Sequence, residues 1–91
     1  MTPMKTRIKK DLAYRRVAGE LFIVDSSKAR LHELNGPAAV IWEGLAAGKS
    51  GPAIVSALVS EYETDAETAR MDLEVFMNEL RAAGLIDTLK I

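Results

Sequence analysis

The spacing of hydrophobic positions changes near residue 36. Before it, apolar residues fall in short runs between turn formers. Residues 14–18 (Tyr-Arg-Arg-Val-Ala) and 20–25 (Glu-Leu-Phe-Ile-Val-Asp) flank Gly19. The second run is rich in the branched and aromatic side chains that suit a pleated surface, and Gly19 predicts a tight turn between the two. Asp25-Ser26-Ser27-Lys28 is a second turn signal, because short polar side chains hydrogen-bond their own backbone. Residues 29–34 (Ala-Arg-Leu-His-Glu-Leu) then predict a third strand, and three strands on short turns read as an antiparallel meander.

After Asn35-Gly36-Pro37 the period becomes helical. Asn35 or Gly36 caps a first helix and Pro37 fits its first turn, where the missing N–H costs nothing. Ala38, Ile41, Trp42 and Leu45 give that helix its apolar stripe, and it stops near Gly48. Ser50-Gly51-Pro52 repeats the punctuation, and Ile54, Val55, Leu58, Val59 and Tyr62 recur every three to four residues. Thr64 or Asp65 caps a third, longest helix running to about Ala83, with Ala69, Leu73, Phe76, Met77 and Leu80 as its core stripe. Gly84 is placed to end it in a left-handed conformation, and Leu85-Ile86-Asp87 predicts a short strand or packed tail. Residues 1–12 show no period and predict an extended or mobile arm, leaving 13–91 as a single domain. The fold class is therefore α+β and winged-helix-like: a three-stranded antiparallel sheet followed by three helices.

At 91 residues the chain fits one domain with a modest core, so a deep substrate cavity is not expected. It has no cysteine, which excludes disulfides, thiolate metal sites and a cysteine nucleophile. Six basic residues lie in positions 1–16 against Asp11, whereas positions 17–91 hold six basic and twelve acidic residues. The start is basic and the body acidic. No run reaches the ~18 apolar residues of a membrane helix, and no apolar stretch follows the N-terminal charges as in a secretory signal. A cytoplasmic location without membrane attachment is the expectation.

Candidate chemistry is sparse. His32 is the only histidine, and it alternates with Glu33 across the strand, so the two cannot form a dyad within it. Glu61, Glu63, Asp65, Glu67, Asp72, Glu74 and Glu79 read as a solvated, dipole-favoured helix face rather than as paired acid–base groups. No phosphate loop or zinc spacing occurs. These absences point to a binding module without a cofactor rather than an enzyme. Two features suit a peptide. The third strand has an outer edge open to β-augmentation, with Arg30, His32 and Glu33 keeping it polar and Leu31 and Leu34 forming pockets. On the third helix, steps of 100° put Met71, Val75 and Ala82 roughly opposite Leu73, and methionine suits adaptable contacts.

The stretch His32-Glu-Leu-Asn-Gly-Pro-Ala-Ala-Val-Ile-Trp42, with Gly48, Tyr62 and the closing Leu80-Arg-Ala-Ala-Gly-Leu-Ile86, resembles the PqqD-like family of pyrroloquinoline quinone biosynthesis. The resembling positions are Leu34-Asn35, Ala39, Ile41-Trp42, Tyr62, Leu80 and Gly84-Leu85-Ile86, and they span roughly residues 14–87. The resemblance implies a recognition element (a peptide chaperone) for ribosomally made, later modified peptides. Such a protein adds the leader segment of a precursor to its third strand, beside its third helix, and presents the rest to a modifying enzyme. In the quinone pathway that enzyme is a radical S-adenosylmethionine (SAM) protein. Carried onto this chain, the pairing strand is Arg30, Leu31, His32, Glu33 and Leu34, and the helical wall is Met71, Asp72, Val75 and Phe76. Many members carry an aromatic residue at the position of His32. Asp25-Ser26-Ser27-Lys28 stands where quinone-pathway proteins carry Pro, Glu and Gly, which leaves the pathway open.

Two other functions suit the same scaffold. A winged helix can bind DNA, but its recognition helix must face phosphates, and the third helix here is acidic. A scaffold or dimerisation domain is not separable from a peptide binder by sequence.

Overall fold

The computed structural model describes the backbone of residues 4–90 and the side chains of residues 8–86. Five strands and three helices follow one another as β1 (Met4–Ile8), β2 (Leu12–Val17), β3 (Glu20–Asp25), β4 (Arg30–Asn35), α1 (Gly36–Ala46), α2 (Gly51–Glu61), α3 (Ala66–Ala82) and β5 (Ile86–Lys90). β2, β3 and β4 form the expected antiparallel meander, with β2 and β4 at its edges.

One element departs from the sequence expectation. Residues 4–8, read as part of an extended or mobile arm, form β1, which pairs antiparallel with β5 from Met4↔Lys90 to Ile8↔Ile86. The Lys9 amide extends the ribbon by donating to the Leu85 carbonyl at 2.9 Å. A strand whose partner lies at the other end of the chain leaves no local period. Residues 1–3 lie outside the described residues.

Turns and caps follow local chemistry. Ala18 (φ 51°) and Gly19 (φ 83°) both adopt left-handed backbone between the paired residues Val17 and Glu20. Positive φ at both central positions is the requirement of a two-residue type I′ hairpin. The next turn is organised by Asp25, which is wholly buried. Its carboxylate accepts from the Ser27 amide at 3.1 Å, the Ser27 hydroxyl at 2.7 Å and Lys9 Nζ at 3.4 Å. Ser50 and Asp65 cap α2 and α3 by accepting from the amides of Ala53 and Thr68. Asn35 starts α1 without a side-chain bond, and Pro37 in the first turn removes one N–H that would need a partner.

The alternation of β3 sends Leu21, Ile23 and Asp25 inward. Leu21 and Ile23 pack with Ala39, Trp42, Leu80, Leu85 and Ile86 beneath the sheet. A second cluster joins the helices through Ile41, Ile54, Leu58, Ala69 and Leu73, and Phe76 and Met77 touch both clusters. α1 and α2 approach closely at Gly44, where a Cβ would lie 2.7 Å from Ile54 Cγ1.

Candidate functional site

The register of β3 on β4 decides which side of the edge strand each residue occupies. Arg30, His32 and Leu34 pair with Asp25, Ile23 and Leu21 and share their inward face. Leu31, Glu33 and Asn35 pair with Val24, Phe22 and Glu20 on the outward face. Leu34 is half-buried against the core, whereas Leu31 is 65% exposed. The two leucines therefore serve opposite sides of the strand and do not share a pocket.

The start of β4 is tied to the end of α3. Lys28, just before β4, reaches from its Nζ to the carbonyl of Ala83, just beyond α3, at 3.3 Å. At the other end, a Cβ built on Gly36 would lie 3.9 Å from the Tyr62 hydroxyl, and Tyr62 precedes α3 by a few residues. Strand and helix thus run in opposite senses along one flank. Along its length α3 packs on α2 and β5 rather than on β4. Among the described residues no strand pairs with the outer edge of β4, and the end of α3 stands beside its start.

The helical residues expected to wall this groove divide in two. Phe76 is half-buried and joins both core clusters, the first of which also includes Leu34. Met71 and Val75 are 59% and 58% exposed, and Asp72 is exposed as well. Leu34 and Phe76 thus lie against the core, whereas Met71, Asp72 and Val75 stay on the surface of α3.

The site is polar in a particular way. His32 Nε2 is buried without a hydrogen-bond partner, and so is Trp42 Nε1. Trp42 lies under the same sheet, its ring edge-on to Tyr14 with centroids 5.5 Å apart. Tyr14, Ile23 and His32 form one inward row across the three strands. On the outward face, Glu20 holds the Glu33 carboxyl above the usual carboxylate range, through a shared hydrogen bond and like-charge repulsion. Glu20 did not emerge from sequence reasoning, although period-2 alternation in the second predicted strand puts it on the side of Phe22 and Val24. Elsewhere Arg16 grips Glu43 with two bonds, Nε at 3.0 Å and Nη2 at 2.5 Å, which lowers the Glu43 pKa and ties β2 to α1. A separate cleft of about 440 Å³ lies between β2, α1 and α2 and includes none of the groove residues. Among the described residues, no three His, Asp or Glu side chains gather in a metal-holding arrangement. No helix among them is long and apolar enough to cross a membrane.

Fold and site together define a class: a small α+β domain, three antiparallel strands followed by three helices, with an open strand edge beside its last helix. Within that class the chain belongs to the coenzyme PQQ synthesis protein D (PqqD) family, whose sequence profile matches residues 20–86. Two solved structures share the fold. TbiB1, in complex with the TbiA(beta) leader peptide, is 25% identical, with 89% of this chain and 94% of that chain covered at a TM-score of 0.83. A lasso peptide synthetase B1 complexed with the leader peptide is 23% identical, with 91% and 98% covered and the same TM-score. No curated protein matches the chain by sequence.

Proposed function

We propose that this protein captures the leader segment of a ribosomally made precursor peptide and presents the remainder to a modifying enzyme, with no bond-making of its own. The observation that carries the reading is the outer edge of β4, unpaired among the described residues, with its start tied by Lys28 to the end of α3. An unpaired edge offers a row of amide and carbonyl groups to an incoming strand, and flanking side chains supply selectivity. β4 has six residues and α3 seventeen, so the edge spans ~20 Å and the helix ~25 Å. A docked strand of about six residues matches the edge and fits within the length of the helix.

In this reading, the edge of Arg30–Leu34 holds the leader backbone. Arg30, His32, Leu34 and Phe76 meet its inward side chains, Leu31 and Glu33 its outward ones, and Met71, Asp72 and Val75 line the helical side. The partnership of TbiB1 with a leader peptide supports it. The modifying enzyme would be a radical SAM protein if the chain follows the quinone pathway, acting with it in the cytoplasm. The exposed acids of α3 argue against a docked duplex.

The test is an amide-shift titration of the isotope-labelled protein with the synthetic leader half of a short precursor encoded beside its gene. The amides of residues 30–34 and 70–77 should move together. Shifts confined to β2, or to the cleft between α1 and α2, would overturn the assignment.

A further inference from the structure

The outward face of the sheet carries a charge arrangement that strand capture alone leaves unexplained. Its rows run Ala13–Val24–Leu31, Arg15–Phe22–Glu33 and Val17–Glu20–Asn35. Val24 and Leu31 are exposed neighbours, 44% and 65% accessible. Glu33 on the edge strand sits diagonal to Glu20, and Phe22 separates it from Arg15 in its own row. Among the described residues, the ion pairs are Lys9–Asp25 and Arg16–Glu43, so neither Glu20 nor Glu33 has a cation of its own. On α3, Asp72 and Glu79 are exposed.

A strand added to β4 extends these rows by one position. Directly opposite residues of neighbouring strands place their Cβ atoms about 4.5–5.5 Å apart, close enough for cross-strand pairing. We infer that Glu33 is a specificity residue that selects a leader whose docked strand carries Lys or Arg opposite it on the outward side, with an apolar residue two positions away opposite Leu31. A cation there pairs with Glu33 and relieves its repulsion with Glu20. A carboxylate there would bring a third negative group to the same spot. Leu31 and Val24 offer the neighbouring row a continuous apolar strip. The inference rests on the strand-addition reading above and specifies the chemistry of the segment that reading takes.

The experiment needs no known precursor. A displayed library of random twelve-residue peptides is selected against the wild-type chain, Glu33→Lys and Glu63→Lys. The last places the same charge change at an exposed position between α2 and α3. Enriched peptides are synthesised and mapped by amide shifts, and thermal melts confirm that all three chains fold. Peptides that shift the β4 amides of the wild type should carry Lys or Arg at one fixed position, two residues from an apolar one. Replacing that residue by Glu should weaken binding roughly three- to ten-fold, and Glu33→Lys should reverse the preference while Glu63→Lys keeps it. Peptides that shift β4 but show no charge preference, or a preference that Glu33→Lys leaves in place, overturn the role of Glu33 and spare strand capture. If no selected peptide shifts β4, strand capture fails and this inference falls with it.

Discussion

At the scale of single residues, Asp25 shows how one side chain sets a turn that the site depends on. The Ser27 hydroxyl does most to hold its pKa below the usual carboxylate range, and Lys9 adds to this. Folding therefore favours the ionised form. The resulting stabilisation is present above the ordinary carboxylate pKa and is lost as pH falls through the depressed folded value. Asp25→Asn should lower the denaturant midpoint at pH 7, and the gap from wild type should narrow at pH 3. Ser27→Ala should cost more than Lys9→Met, because the hydroxyl bond is 2.7 Å and the ammonium contact 3.4 Å. The turn signal Asp25-Ser26-Ser27-Lys28 was legible in the sequence. The reach of Lys9 to it was not, since that contact needs β1 and β5 to be paired first. A second residue is less well matched to its place. Ala18 sits at φ 51°, a region that costs a non-glycine residue roughly 1–2 kcal/mol and that asparagine tolerates better. Ala18→Asn should raise stability by about 0.5–1 kcal/mol, read as a higher melting temperature with unchanged peptide binding.

At the scale of elements, the helices were the most legible part. Period and punctuation placed all three within a few residues, and Asp65 caps α3 as its chemistry requires. The same wheel separated the buried stripe of Ala69, Leu73 and Leu80 from the exposed Met71 and Val75. That separation is testable in two directions. Val75→Ser removes an exposed apolar group, so it should leave the denaturant midpoint within about 0.5 kcal/mol while weakening a leader peptide several-fold by calorimetry. Gly44→Ala adds one methyl where α1 meets Ile54 at 2.7 Å. Overpacking of that kind costs about 1–3 kcal/mol, and binding should survive in whatever fraction remains folded. The sequence marked Gly44 as nothing special, because a close helix crossing is a property of two elements. The division of β4 was half legible. Alternation separates His32 from Glu33, but assigning Leu31 to the outward side and Leu34 to the inward side took the register with β3.

At the scale of the molecule, the strands are disposed so that one sheet stays unfinished while the chain's two ends finish another. β1 and β5 close a separate ribbon, and the core beneath the sheet includes Leu85 and Ile86, each 1% exposed, with Ile8 packed against it. The basic N-terminal segment is therefore structural in residues 4–8, whatever its charge does for a partner. Deleting residues 1–8 leaves β5 without its mate and uncovers part of Ile86 and Leu85. Fully burying such a side chain contributes about 1.5–3 kcal/mol, and the deletion exposes each only in part, so a total loss of about 1–3 kcal/mol follows. In a domain of this size that lowers the melting temperature by several degrees. A solvated tail removed in the same way would leave the melt unchanged, so one thermal scan of the truncated chain separates the two pictures. The truncation also tests how far the groove depends on the ribbon. Lys28 binds the Ala83 carbonyl one residue before the Gly84-Leu85 link to β5. Loosening β5 should free that tie first, and leader binding at β4 should weaken before the rest of the sheet melts.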